Sequence, residues 1–73
     1  MGQENGIRIT NRDRVLRAWQ NSMELVRDFQ NAADVMHDDG RVVRAFRQFA
    51  EEEAAHAAKF LEFLHAYEVG GTE

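Results

Sequence analysis

Apolar positions recur along two segments of this chain at alternating spacings of three and four. The first stripe is Val15, Trp19, Ser22, Val26, Phe29, Ala33 and Met36, with one serine among the apolar residues. That period is helical, and Thr10 or Asn11 can cap the segment while Asp13 favours its first turn. The stripe stops at "HDDG", where Gly40 suits a left-handed chain reversal and Asp38 or Asp39 can cap the next helix. The second stripe is Val42, Ala45, Phe46, Phe49, Glu53, His56, Phe60, Phe63, Leu64 and Tyr67. No proline interrupts either one. The pattern predicts a flexible leader over 1–10, a helix over 11–37, a turn over 38–40, a helix over 41–68 and a loose tail over 69–73.

Two long helices joined by a short turn must pack antiparallel, so the fold class expected is an all-α helical hairpin. One hairpin is too narrow to cover its own stripe, and Phe46, Phe60 and Leu64 are expected to stay partly exposed. Two hairpins forming a four-helix bundle with twofold symmetry is the simplest remedy, which predicts a homodimer or a multiple of dimers.

Composition sharpens this. With 73 residues, 44% hydrophobic and 30% charged, the chain is one small globular unit with a thin core. It has no cysteine, so disulfides and thiolate metal sites are excluded. Self-association, or a metal held by oxygen and nitrogen ligands, is the staple left. The net charge of −4 and pI near 5.3 argue against a nucleic-acid or anionic-membrane partner. No apolar run has the length of a membrane span, and Gly6 stands where a myristoylation signal needs Ser or Thr. The location expected is cytoplasmic, with enclosure in a protein compartment left open.

The informative stretch is "FAEEEAAHAAKFLEFL", residues 49–64. At 100° per residue with Phe60 as zero, Phe46 and Leu64 lie near +40° and Phe49 and Tyr67 near −20°. Glu53 falls at about +20° and His56 at about −40°, both within the stripe. Glu51 is on the far side and Glu52 at the border, so one glutamate of three points inward. A carboxylate in that position must be neutralised, paired or bound to a cation. A Glu53–His56 core pair is the plainer reading. Ala50, Ala54 and Ala57 leave room for an ion, which favours the other.

These residues resemble the second metal-bearing helix of the ferritin-like superfamily, nearest the rubrerythrins and the short two-helix encapsulated ferritins. "AEEE", then His56-Ala57 and the phenylalanines carry the likeness, with the acidic-glycine turn before them. It covers roughly residues 15–67. The resemblance implies a ferritin-like four-helix bundle holding iron, di-iron or mononuclear, with manganese or zinc as other metals such ligands take. It implies that Glu53 bridges or chelates, that His56 ligates through a ring nitrogen, and that a second copy supplies the same pair. The activity implied is iron oxidation or storage, an oxidoreductase of ferroxidase type, with a protein shell as a further partner.

The chain departs from that pattern at Ser22, which stands where the family carries a glutamate on the first helix and is expected opposite His56. Glu24 lies about 200° round the helix from Ser22 and should face outward unless a π-bulge rotates it. The family's four-cysteine electron-transfer site is absent. This departure supports a second reading: a non-catalytic oligomerisation or adaptor module whose metal site has decayed. His37 reads as a cap or packing residue, His65 as solvated, and Trp19 and Met36 as core or dimer contacts. Tyr67 is about three turns from His56, too far to ligate. Arg41, Arg44 and Arg47 read as a solvated edge pairing with acids such as Asp34.

Overall fold

The computed structural model describes residues 8–70, and they form two α-helices that pack against each other along their length, with no strand among the described residues. Helix α1 spans Asn11–Val35 and helix α2 spans Gly40–Gly70. The hairpin expected from the pattern is the fold observed. Of the leader, Met1 to Ile7 lie outside the described residues, as do Gly71 to Glu73 of the tail.

Thr10 starts α1. Its hydroxyl accepts from the Asp13 amide at 3.0 Å while the Asp13 carboxylate accepts from the Thr10 amide at 3.1 Å. This reciprocal box satisfies two backbone donors that the first turn would otherwise leave unpaired. The Asp13 pKa lies below its ordinary 3.8, because the Thr10 backbone amide and, next, the Thr10 hydroxyl hydrogen-bond to its carboxylate.

The turn differs from expectation. Helix α1 ends at Val35, two residues early, with Met36 in extended backbone (φ −86°, ψ 134°). Asp39 caps α2, its Oδ1 accepting from the amides of Arg41 at 3.1 Å and Val42 at 3.4 Å. Its carbonyl accepts from Val43 at 3.0 Å. With that cap in place Gly40 is the first residue of α2, its backbone outside the left-handed region. The chain reverses through extended residues and a side-chain cap, so glycine's freedom is unused here. At its other end α2 continues through Val69 and Gly70.

The seam between the helices follows a seven-residue repeat. On α1 Ser22, Val26 and Ala33 are buried, and on α2 Ala50, Ala57 and Leu64, which are seven apart. Alanine at these positions lets the backbones approach closely, but it leaves little apolar area to bury. Among the described residues no large side chain is fully enclosed. A seam this thin gives modest stability on its own. Towards the turn, Phe29, Phe46 and Phe49 supply the bulk, with ring centroids 5.9 to 6.0 Å apart. Two of these contacts are edge-on, the geometry that aromatic quadrupoles favour.

Leu64, expected to be partly exposed, is buried at 5% by α1. The apolar side chains left in water lie elsewhere: Leu25, Phe49, Leu61 and Phe63 along the hairpin, and Ile9, Val35 and Val69 towards its ends.

Candidate metal centre

Glu53 belongs to the seam. It lies three residues after Ala50 and four before Ala57, both buried, and its own side chain keeps 17% of its surface in water. Its neighbours in the triple glutamate are exposed, and Glu52 pairs with Gln48 at 3.1 Å. One inward carboxylate of three, as the phase predicts, is what the helix presents.

His56 is placed differently from expectation. Its side chain is 62% exposed. Three residues at 100° each set it about 60° from Glu53, and the seam position at that level belongs to Ala57. The imidazole therefore lies on the flank of α2 and not between the helices. The two side chains still meet, with His56 Nδ1 3.3 Å from Glu53 Oε1. With Nδ1 turned to the carboxylate, Nε2 is the ring nitrogen turned away from Glu53.

Ser22 is buried at 4% in α1. It lies seven residues before Phe29, whose ring packs equally against Phe46 and Phe49; seven residues beyond those two are Glu53 and His56, so Ser22 sits at the level of that pair. Among the described residues no side chain pairs with its hydroxyl within hydrogen-bond distance. Helix α1 is continuous α-helix through this region and Glu24 is exposed, so no bulge turns that carboxylate inward.

The donor set of Glu53 and His56, one carboxylate and one imidazole, suits iron, manganese or zinc. Two donors are too few. Among the described residues of one chain no three acidic or histidine side chains come together to hold an ion.

The remaining candidates are peripheral. His37 lies in the connection between the helices and His65 on the outer side of α2, both exposed. Arg47 pairs with Asp34 at 3.3 Å, as its spacing predicts, and Arg41 approaches Asp39 at 3.8 Å. Arg12 meets Glu68 at 3.4 Å across the open end of the hairpin, a contact no local spacing announces. All three pairs are well exposed and contribute little. No described helix is long and apolar enough to cross a membrane. Comparison of the chain with protein-family models, curated proteins and solved structures finds no match.

Proposed function

We propose that this chain is a ferritin-like metal-binding protein, with iron as the metal, whose site is formed across a homodimer by two copies of Glu53 and His56. The observation that carries the reading is the position of Glu53. A carboxylate at a seam position, 17% exposed, is costly unless a proton, a partner or a cation offsets it. An apolar residue such as leucine would fit the same repeat without that cost.

In this reading the helix seam holds Glu53 in place, and the Glu53 carboxylate in turn orients the His56 ring through Nδ1. The flanking alanines limit the bulk around the pair. Iron bound there would supply redox chemistry between its ferrous and ferric states, with oxygen or peroxide as oxidant. The carboxylates would favour the higher charge. Four ligands per dimer suffice for one ion, so a mononuclear site is preferred to a di-iron one unless Ser22 is replaced by a carboxylate.

A second reading has its own support. His56 is mostly exposed, and an exposed histidine beside a glutamate one turn away is an ordinary surface pair. The chain would then be an oligomerisation or adaptor module, the thin alanine seam explaining its need for a partner. Metal content decides between them. Protein purified with iron supplied is expected to retain close to one ion per dimer, and His56→Ala to lose it. Equal, near-zero content in both would favour the adaptor.

A further inference from the structure

We propose that the second copy docks antiparallel on the α2 flank bearing Phe49, His56 and Phe63, with the twofold axis passing at His56. The inference rests on the shared-site reading for who the partner is, but the docking itself needs no metal.

Three observations point to this face. The row is seven-spaced, so its side chains share one line along α2, and all three are open to water: Phe49 44%, His56 62% in its side chain and Phe63 45%. Leu25, 39% exposed and one turn before Phe29 on α1, widens the same face. Exposed aromatic rings in line are the signature of a protein contact, not of a solvated helix.

The row is also palindromic. Phe49 and Phe63 each lie seven residues from His56. A twofold interface must be self-complementary, each residue meeting its reciprocal. Antiparallel docking about His56 sets each Phe49 on the partner's Phe63 and each His56 on the partner's His56. The two imidazoles then face one another across the axis, with each Glu53 carboxylate one turn away on its own helix.

Charge agrees with this register. Lys59 is the chain's single lysine, three residues past His56, and Glu52 is four residues before it. Both are exposed, at the outer edge of the row. Antiparallel docking brings each Lys59 close to the level of the partner's Glu52, opposite charges at the rim where they favour register and approach. In the lone hairpin Lys59 is held over the Phe63 ring at 5.7 Å and to Glu62 at 3.3 Å, so its ammonium is already positioned beside the row.

The opposite flank is a groove of about 300 Å³ lined by Trp19, Met23, Ala54, Ala58 and Leu61. Of these only Leu61, at 38%, is a large side chain more than a third exposed.

The chain lacks cysteine, so single introduced cysteines can carry nitroxide labels on the full-length protein. Labels at Gln48, Glu52, Ala58, Lys59 and Ala66 are read by pulsed dipolar spectroscopy with a metal chelator present. The Lys59→Cys pair is expected to be the closest. Distances should lengthen in both directions along α2, their axial component growing by about 3 Å for each residue further from position 56. The Ala58→Cys label, on the groove side of both copies, should give a distance longer than its neighbour by about two helix diameters, ~20 Å. Phe63→Glu, outside the seam, should leave a helical protein whose dimer dissociates at a concentration at least about tenfold higher than wild type, the change expected of ~1.4 kcal/mol lost at an interface. Absent coupling, distances constant along α2, or Ala58 closer than Lys59 would each overturn the proposal. If the pattern holds but iron never binds, the docking stands and the metal reading falls. If iron binds without the pattern, the docking alone falls.

Discussion

His56 and Glu53 touch at 3.3 Å while facing different media, the carboxylate held in the helix seam and the imidazole out on the flank. One turn of helix thus links the interior of the hairpin to the surface on which a partner is proposed to dock. Substitutions at either end of that link have distinct expected effects.

Glu53→Leu is expected to stabilise the metal-free protein. Leucine suits a seven-residue seam, and its burial replaces a carboxylate that has only the edge of an exposed histidine for company. A gain of about 1 kcal/mol or more in chemical denaturation is expected. A loss of the same size would show that the Glu53–His56 pair is itself a net stabiliser.

Ser22→Glu places a second carboxylate in the seam at the level of the Glu53–His56 pair. Without metal it should lower the melting temperature, since two like charges then share one layer of the seam. With iron the order should reverse, and the metal count per dimer should rise. A variant equally destabilised in both conditions would show that position 22 cannot reach the site.

The hairpin itself is largely legible in the alternation of threes and fours, because an amphipathic stripe and its caps are local features. Thr10, Asp13 and Asp39 carry their roles in side chains that bond within three residues. The pattern leaves open which part of a wide stripe becomes seam and which becomes flank. Phe49 and His56 lie within about 60° of Glu53, and only the choice of Ala50 and Ala57 as the close-approach line sends them outward. That choice depends on α1. The turn departs from expectation for a related reason: glycine after two acids fits a left-handed reversal, but Asp39 captures the α2 amides first.

Gly40→Ala tests the turn as observed. An added Cβ at Gly40 meets nothing nearer than the Arg44 guanidinium, the far end of a flexible side chain, at 3.4 Å. The substitution should be tolerated or stabilising by about 0.5 kcal/mol, through a less flexible unfolded chain. A marked loss in thermal melting would restore the left-handed reading.

Thr10→Ala removes the cap of α1 and should cost about 1 kcal/mol at neutral pH. The Asp13 pKa lies below 3.8 in the folded chain, so its contribution is present above that value. It is lost as pH falls through the lower, folded value. The stability gap between wild type and Thr10→Ala should therefore narrow below about pH 3.8. A gap constant down to strongly acidic pH would show that the Asp13 carboxylate takes no part.

Whether Glu53 and His56 hold a metal is decided by thermal melting at about pH 7 with ferrous iron, manganese or zinc added, for wild type beside Glu53→Ala. Metal that binds only the folded dimer must raise its melting temperature, and since it displaces protons from its ligands the rise must shrink as the solution is acidified. Such a rise is expected for wild type and none for Glu53→Ala. Wild-type melting left unchanged by all three metals would rule out the shared site, and Glu53 and His56 would then be a structural pair in an oligomerisation module.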